Sequence, residues 1–161
     1  MNESVYIETT IPSYLSARSS RDLIVAAHQR ITHEWWEGQR EKYQLFISPI
    51  VVTECSAGDP ERAKARLALL TEMTLLEYSP RIDSLTEQIM GGLRIPQSKR
   101  LDAMHLAYAV EYQIDFVMTW NCSHLANAQS EKALASFCKQ KNVWMPILCT
   151  PEEVTMEEES P

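Results

Sequence analysis

Residues 114–120 (IDFVMTW) form a run that is apolar at almost every position. A strand with water on one face alternates polar and apolar residues, whereas a strand covered on both faces, as in the middle of a parallel sheet, need not. That run points to a sheet enclosed by helices, and the rest of the chain alternates between the two. Residues 4–8 (SVYIE) are a compact β-branched and aromatic run, with Thr9, Thr10 and Pro12 marking a turn into a helix. Between 21 and 41, Ile24, Ala27, His28, Ile31 and Trp35 recur at helical spacing, which predicts one long amphipathic helix. Residues 44–48 (QLFIS) read as a second strand, and Pro49 suits the start of a helix carrying Ile50, Val51, Glu54 and Cys55.

Gly58-Asp59-Pro60 ends that helix and begins another over 61–70; a third strand is expected at 74–78. Pro80 opens a helix that should run to about residue 90, where Gly91-Gly92 breaks it. Ser98 can cap the next, over 99–112, in which Leu101, Met104, His105, Tyr108 and Ala109 share a face. A last helix at 130–141 precedes a short strand at about 144–148. The alternation gives an α/β three-layer sandwich, a mostly parallel sheet of about five strands flanked by helices.

A chain of 161 residues suits one domain with one core, expected over residues 1–150 with a flexible acidic tail at 151–161. With 45% hydrophobic and 23% charged residues it is a folding composition and not a disordered one. No apolar run reaches membrane-spanning length and the start, MNES, is polar and acidic, so neither a membrane segment nor a secretory leader is indicated and the cytoplasm is expected. Cys55, Cys122, Cys138 and Cys149 lack CxxC spacing, which points away from zinc knuckles and disulfide frameworks. The net charge of −7 first argues against a nucleic-acid partner. Five glutamates of the tail carry most of it, however, and residues 1–150 hold 17 acids against 15 bases, a balance of −2.

Four residues stand where such a sheet places ligands, beyond the carboxyl ends of its strands near the point where strand order reverses. Glu8 ends the first strand and Asn121 follows the fourth; Glu54 lies in the first turns of the helix after the second strand, and Asp102 in the first turn of the helix before the fourth. Oxygen donors gathered from distant segments suit a hard cation such as Mg²⁺ or Mn²⁺.

The motifs around these residues resemble those of the PIN-domain nucleases. YIETT at 6–10 is similar to that family's opening acid followed by a small hydroxyl residue, VVTEC at 51–55 to its second acid, LDAMHLAYA at 101–109 to its third, and TWN at 119–121 to its Thr-x-Asp. The resemblance spans residues 4–148, with two departures: the first acid is usually Asp and is Glu8 here, and the fourth is Asn121. It implies an Mg²⁺- or Mn²⁺-dependent endoribonuclease acting on single-stranded RNA, commonly the toxin that an antitoxin protein neutralises, as in VapC-like toxins, and often a homodimer. Glu8, Glu54, Asp102 and Asn121 would then be the metal-binding and catalytic residues. Thr10, Thr119 and His105 would support them by hydrogen bonds, and Lys99 and Arg100 would be candidates for contact with the nucleic acid.

Each residue also has a plainer role open to it. A first-turn Asp102 or Glu54 can serve its own helix dipole, Asn121 can cap a following helix, His105 can be a core histidine, and Lys99 and Arg100 can be a solvated helix start. His28, His33 and His124 read as packing or surface residues, and Trp35, Trp36 and Tyr14 as core or interface aromatics. Two other functions remain compatible with the residues: a module that binds RNA or protein without cutting, and a metal-dependent hydrolase of small phosphate esters, since fold does not fix substrate.

Overall fold

In the computed structural model, which describes residues 2–155, five strands form one all-parallel sheet flanked by seven helices. The strands are β1 (Ser4–Ile7), β2 (Gln44–Ile47), β3 (Thr74–Leu75), β4 (Phe116–Met118) and β5 (Ile147–Cys149). The helices are α1 (Thr10–Ser16), α2 (Leu23–Gly38), α3 (Pro49–Cys55), α4 (Pro60–Leu70), α5 (Pro80–Leu93), α6 (Arg100–Glu111) and α7 (Ala128–Lys141). The order across the sheet is β3-β2-β1-β4-β5. Chain order therefore reverses at β1, where Val5 pairs with Leu45 on one side and Phe116 on the other. Val5, Tyr6 and Ile7 have no solvent exposure at all, as expected of a strand with both faces covered.

The expected alternation of strands and helices is present, with instructive differences at the ends. β4 is shorter than the apolar run 114–120 because Thr119 and Trp120 turn their polar groups to other work: the Trp120 amide donates to Thr10 Oγ1 at 2.9 Å and the Thr119 hydroxyl to Glu8 at 2.8 Å. β5 begins at Ile147, after Pro146, which has no amide hydrogen to give a ladder. Ser98 forms no cap; a 3₁₀ turn at Gln97–Lys99 leads into α6, whose first turn has no side-chain cap.

The inward face of α2 also differs from the periodic reading. Ile24 and Ala27 are exposed, and the buried positions are Gln29, Thr32 and Trp35. Both buried polar residues are satisfied: Gln29 accepts from the Ser20 amide and donates to the Arg18 carbonyl, while Thr32 donates to the His28 carbonyl and accepts from Trp120 Nε1. A hydrophobic pattern cannot register a helix seated through such bonds. Of the residues that share a face in the periodic reading of 99–112, Leu101 is half exposed, and α6 is otherwise buried nearly all round.

Gly91 and Gly92 do not break α5, which continues to Leu93. At Gly92 an added Cβ would lie 2.7 Å from the ring of Phe137 on α7, so its value is close approach of two helices. Nothing lies within 4 Å of a Cβ at Gly91. Gly91→Ala is expected to raise stability by about 0.5–1 kcal/mol through helix propensity. Gly92→Ala should lower it by roughly 1–2 kcal/mol, because overpacking outweighs the same gain; urea midpoints of the two variants would show the opposite signs.

Packing continues a few residues past 150, the end of the domain expected from the sequence. Pro151 and Val154 are buried, and the Val154 carbonyl accepts from Trp35 Nε1 at 2.6 Å. The rest of the expected tail, 156–161, lies outside the described residues. All four cysteines are free thiols; Cys55, Cys138 and Cys149 are buried, and Cys122 is exposed. Among the described residues no helix is long and apolar enough to cross a membrane.

Candidate functional site

The reversal point at β1 puts two of the sequence-selected residues side by side, because Glu8 follows β1 and the segment carrying Thr119 and Asn121 follows its neighbour β4. Glu8 is buried, and all its side-chain hydrogen bonds among the described residues converge on one oxygen. Oε2 accepts from the Thr10 amide at 2.9 Å, the Thr10 hydroxyl at 2.5 Å and the Thr119 hydroxyl at 2.8 Å. The Thr119 hydroxyl in turn accepts from the Asn121 amide at 2.9 Å. The threonines noted in the sequence thus hold Glu8 and join β1 to β4.

Glu54 arrives by a different route. It sits near the end of the seven-residue α3 and not in the helix's first turns, so a dipole role at the N-terminus does not apply. Its Oε1 accepts from the Thr9 hydroxyl and from His105 Nε2, both at 2.8 Å. The other His105 nitrogen, Nδ1, lies 2.6 Å from the Tyr6 hydroxyl, which lies 2.7 Å from Ser48 Oγ. For a neutral imidazole beside an ionised Glu54, Nε2–H donates to the carboxylate and Nδ1 accepts from Tyr6. Tyr6, Ser48 and His105 are all buried, so this relay ties Glu54 into the middle of the sheet.

Burial pushes the Glu54 carboxyl upward, but the hydrogen bond and electrostatic attraction of the His105 ring, with the Thr9 hydroxyl, more than offset it and hold the group below the usual carboxylate value. Burial, with the nearby charges of Glu8 and Glu54, drives the Tyr6 hydroxyl well above the ordinary phenol value despite the opposing Ser48 bond. Tyr6 is therefore a neutral link in the relay.

Asp102 stands in the first turn of α6. Its Oδ1 accepts a long 3.4 Å hydrogen bond from the Asn121 side-chain amide. Its Oδ2 is buried and has no hydrogen-bond partner among the described residues. The carbonyl oxygen of Asn121 accepts from the His124 amide at 3.2 Å and the Ser123 hydroxyl at 3.3 Å, so this side chain braces the loop after β4 and orients Asp102. It does not cap a helix; Asn127 caps α7 by accepting from the Ser130 amide.

The three acids share one arrangement: one oxygen is engaged by the protein, and the other, Glu8 Oε1, Glu54 Oε2 or Asp102 Oδ2, accepts no hydrogen bond among the described residues. A buried carboxylate oxygen with no partner costs free energy unless a cation or donor meets it. All-oxygen donors exclude a zinc-type cage. No three His, Cys, Asp or Glu side chains among the described residues are grouped so as to hold an ion by themselves. The donor set therefore fits a hydrated hard cation held by one or two carboxylates, the binding style of Mg²⁺, rather than a caged one.

The flanking residues sort differently from the sequence reading. Arg100 is engaged by α5, 2.6 Å from Glu87 Oε1 and 3.4 Å from Asp83 Oδ1. Lys99 remains beside Asp102, lining the same cleft as Arg94 and His124. Neither Arg94 nor His124 was selected from sequence. His124 was separable from a surface histidine only by its place three residues after Asn121, and Arg94 by no local signal. Tyr14 and His28 stack with Trp120, with ring centroids 6.2 and 4.0 Å from it, and Trp35 is core, so these aromatics brace the interior.

An all-parallel sheet in this order, with oxygen-donor residues at the reversal point, defines a PIN-like α/β domain. No family model and no curated protein matches the sequence. Among solved structures, the fold is similar to a chain of VapBC2 from Rickettsia felis, crystallised bound to a DNA fragment from its promoter. The TM-score is 0.56 at 15% identity, over 91% of this chain and 97% of that one. It is equally similar to a chain of VapBC-1 from nontypeable Haemophilus influenzae, with a TM-score of 0.57 at 13% identity, over 92% of this chain and 98% of that one.

Proposed function

We propose that this protein is a divalent-metal-dependent ribonuclease that hydrolyses phosphodiester bonds of single-stranded RNA, working in the cytoplasm as the toxin of a two-protein pair with an antitoxin. The observation that carries the reading is the partner-free buried oxygen Asp102 Oδ2, set in a hydrogen-bonded chain with Asn121, Thr119 and Glu8. The PIN-like fold shared with chains of two VapBC complexes supports the toxin assignment.

Glu8, Asp102 and Glu54 would supply the carboxylates for Mg²⁺ or Mn²⁺, one or two of them to an ion whose shell is completed by waters. Such an ion, when bound, acidifies a water and offsets the charge that builds on phosphorus in the transition state. The chain's own part is positional. Thr10 and Thr119 hold one oxygen of Glu8 and leave the other without a hydrogen bond, Thr9 and His105 do the same for Glu54, and Asn121 holds Oδ1 of Asp102. Because the groups are locked before substrate arrives, little reorganisation is required during reaction. The test is incubation of purified protein with labelled single-stranded RNA in Mn²⁺ and in EDTA, with a mononucleotide phosphate ester in parallel. Cleavage of RNA confined to Mn²⁺ is expected; RNA bound but intact in Mn²⁺ would replace this reading with a binding module, and turnover of the small ester alone with a phosphoesterase.

A second reading, a PIN-like module that binds RNA or protein without cutting, is favoured by one feature. Asn121 is neutral and fully engaged by Asp102, Ser123 and His124, which leaves the site one charged ligand short of four acids.

A further inference from the structure

A cleft opens directly beside Asp102, between the connection from α5 to α6 and the loop that follows Asn121. Its polar lining consists of Arg94, Lys99, Asp102, Ser123, His124 and Ser130. Arg94 and Lys99 are exposed and make no ion pair among the described residues, in contrast to Arg100 next along the chain. Two cations without counter-ions and an imidazole suit a phosphate group.

Both walls are built rather than loose. On the loop side, the Leu125 and Ala126 amides donate to the Asn121 carbonyl, Asn127 Nδ2 to the Cys122 carbonyl, and Ser130 Oγ to the His124 carbonyl, which fixes where His124 stands. On the other side, the Ile95 amide donates to the Met90 carbonyl and the Lys99 amide to the Pro96 carbonyl. Arg94 closes α5 with φ +55°, the left-handed state that a helix end commonly gives to glycine. Of the three non-glycine residues in that state among the described residues, Arg94, Gln113 and Asn142, only Arg94 lines the cleft with Asp102. A side chain kept at a backbone position unfavourable for it is grounds for seeking a use of that side chain.

We propose that this cleft is a subsite for a backbone phosphate of single-stranded RNA, one next to the bond being cut, with Arg94 and Lys99 as its charge contacts and His124 as a hydrogen-bond donor. The inference rests on the ribonuclease reading of Asp102, and it puts the occupied phosphate on the Asp102 side of the acids. The net effect of the two cations is to offset the Asp102 charge along the strand's path.

The test is fluorescence anisotropy of a labelled single-stranded RNA decamer in EDTA, read against salt concentration, for the wild type, Arg94→Gly with Lys99→Ala, and a control Lys64→Ala on α4. Glycine relieves the left-handed backbone, so thermal melting should show the double variant folded. Loss of one phosphate contact should weaken binding about tenfold at low salt and flatten the slope of log affinity against log salt by about 0.7, with the control unchanged. An unchanged slope in the double variant, or no binding by the wild type, overturns the subsite. The two readings fail separately: wild-type cleavage in Mn²⁺ that the double variant matches leaves the nuclease without this subsite. RNA binding that depends on Arg94 and Lys99, without cleavage, leaves the subsite without the nuclease.

Discussion

Asp102→Asn should abolish metal-dependent RNA hydrolysis and yield a protein that is more stable than the wild type in EDTA. The two effects have one cause. Oδ2 is a buried carboxylate oxygen with no hydrogen-bond partner among the described residues, and such a group costs about 1–3 kcal/mol in a folded protein. An asparagine of the same shape leaves a neutral amide group in that place, and burying it without a partner costs less than burying a carboxylate. For a domain of this size each kcal/mol moves the melting temperature by roughly 2–4 °C, so a rise of roughly 2–4 °C is expected without metal if about 1 kcal/mol is recovered. Mn²⁺ should raise the wild-type melting temperature by mass action and leave the variant nearly unmoved, while kcat falls by about a thousandfold. A variant that melts below the wild type in EDTA and still responds to Mn²⁺ would show that Asp102 serves its own helix end.

His105→Phe should be the most disruptive single change near the site. It keeps an aromatic ring in a buried position but removes both relay bonds, one to Tyr6 and one, charge-assisted, to Glu54. Breaking a buried polar network that includes an ionised carboxylate is expected to cost about 2–4 kcal/mol, or roughly 5–12 °C in melting temperature. Because Glu54 would keep only its Thr9 bond, the Mn²⁺ concentration giving half-maximal activity should rise by about 10–100-fold. Glu54→Gln supplies the decisive background. If His105 acts through Glu54, His105→Phe should add little to the metal requirement once Glu54 is gone, a coupling that a purely packing role would not produce.

The architecture was readable because parallel strands covered on both faces need continuous apolar runs, and 4–8, 44–48 and 114–120 supply them. The positions of Glu8 and Asn121 just beyond strands and of Asp102 in the first turn of a helix were readable, whereas Glu54 was expected in the first turns of its helix and lies near its end. What escaped was whatever is fixed by partners distant in the chain. Gln29 and Thr32 seat α2 by hydrogen bonds that carry no hydrophobic signal. Gly92 reads as a breaker until Phe137 is placed beside it. His105 reads as a core histidine until Tyr6 and Glu54 are found on its two nitrogens. Arg100 and Arg94 exchange roles because only the fold shows that Asp83 and Glu87 occupy one and leave the other open to the cleft.

The hydrogen bond from Thr119 to Glu8 joins residues 111 positions apart, and it bears on when in its life the molecule can act. A chain emerging from the ribosome presents Glu8 first, Glu54 later and Asp102 later still, and until Thr119 and Asn121 have emerged and β4 has slotted beside β1, Glu8 lacks one of its three donors and Asp102 lacks its only one. Premature termination or slow synthesis upstream of that point leaves scattered acids and no assembled centre. Synthesis itself thus acts as a timer, and the centre becomes available only once nearly the whole domain has been made.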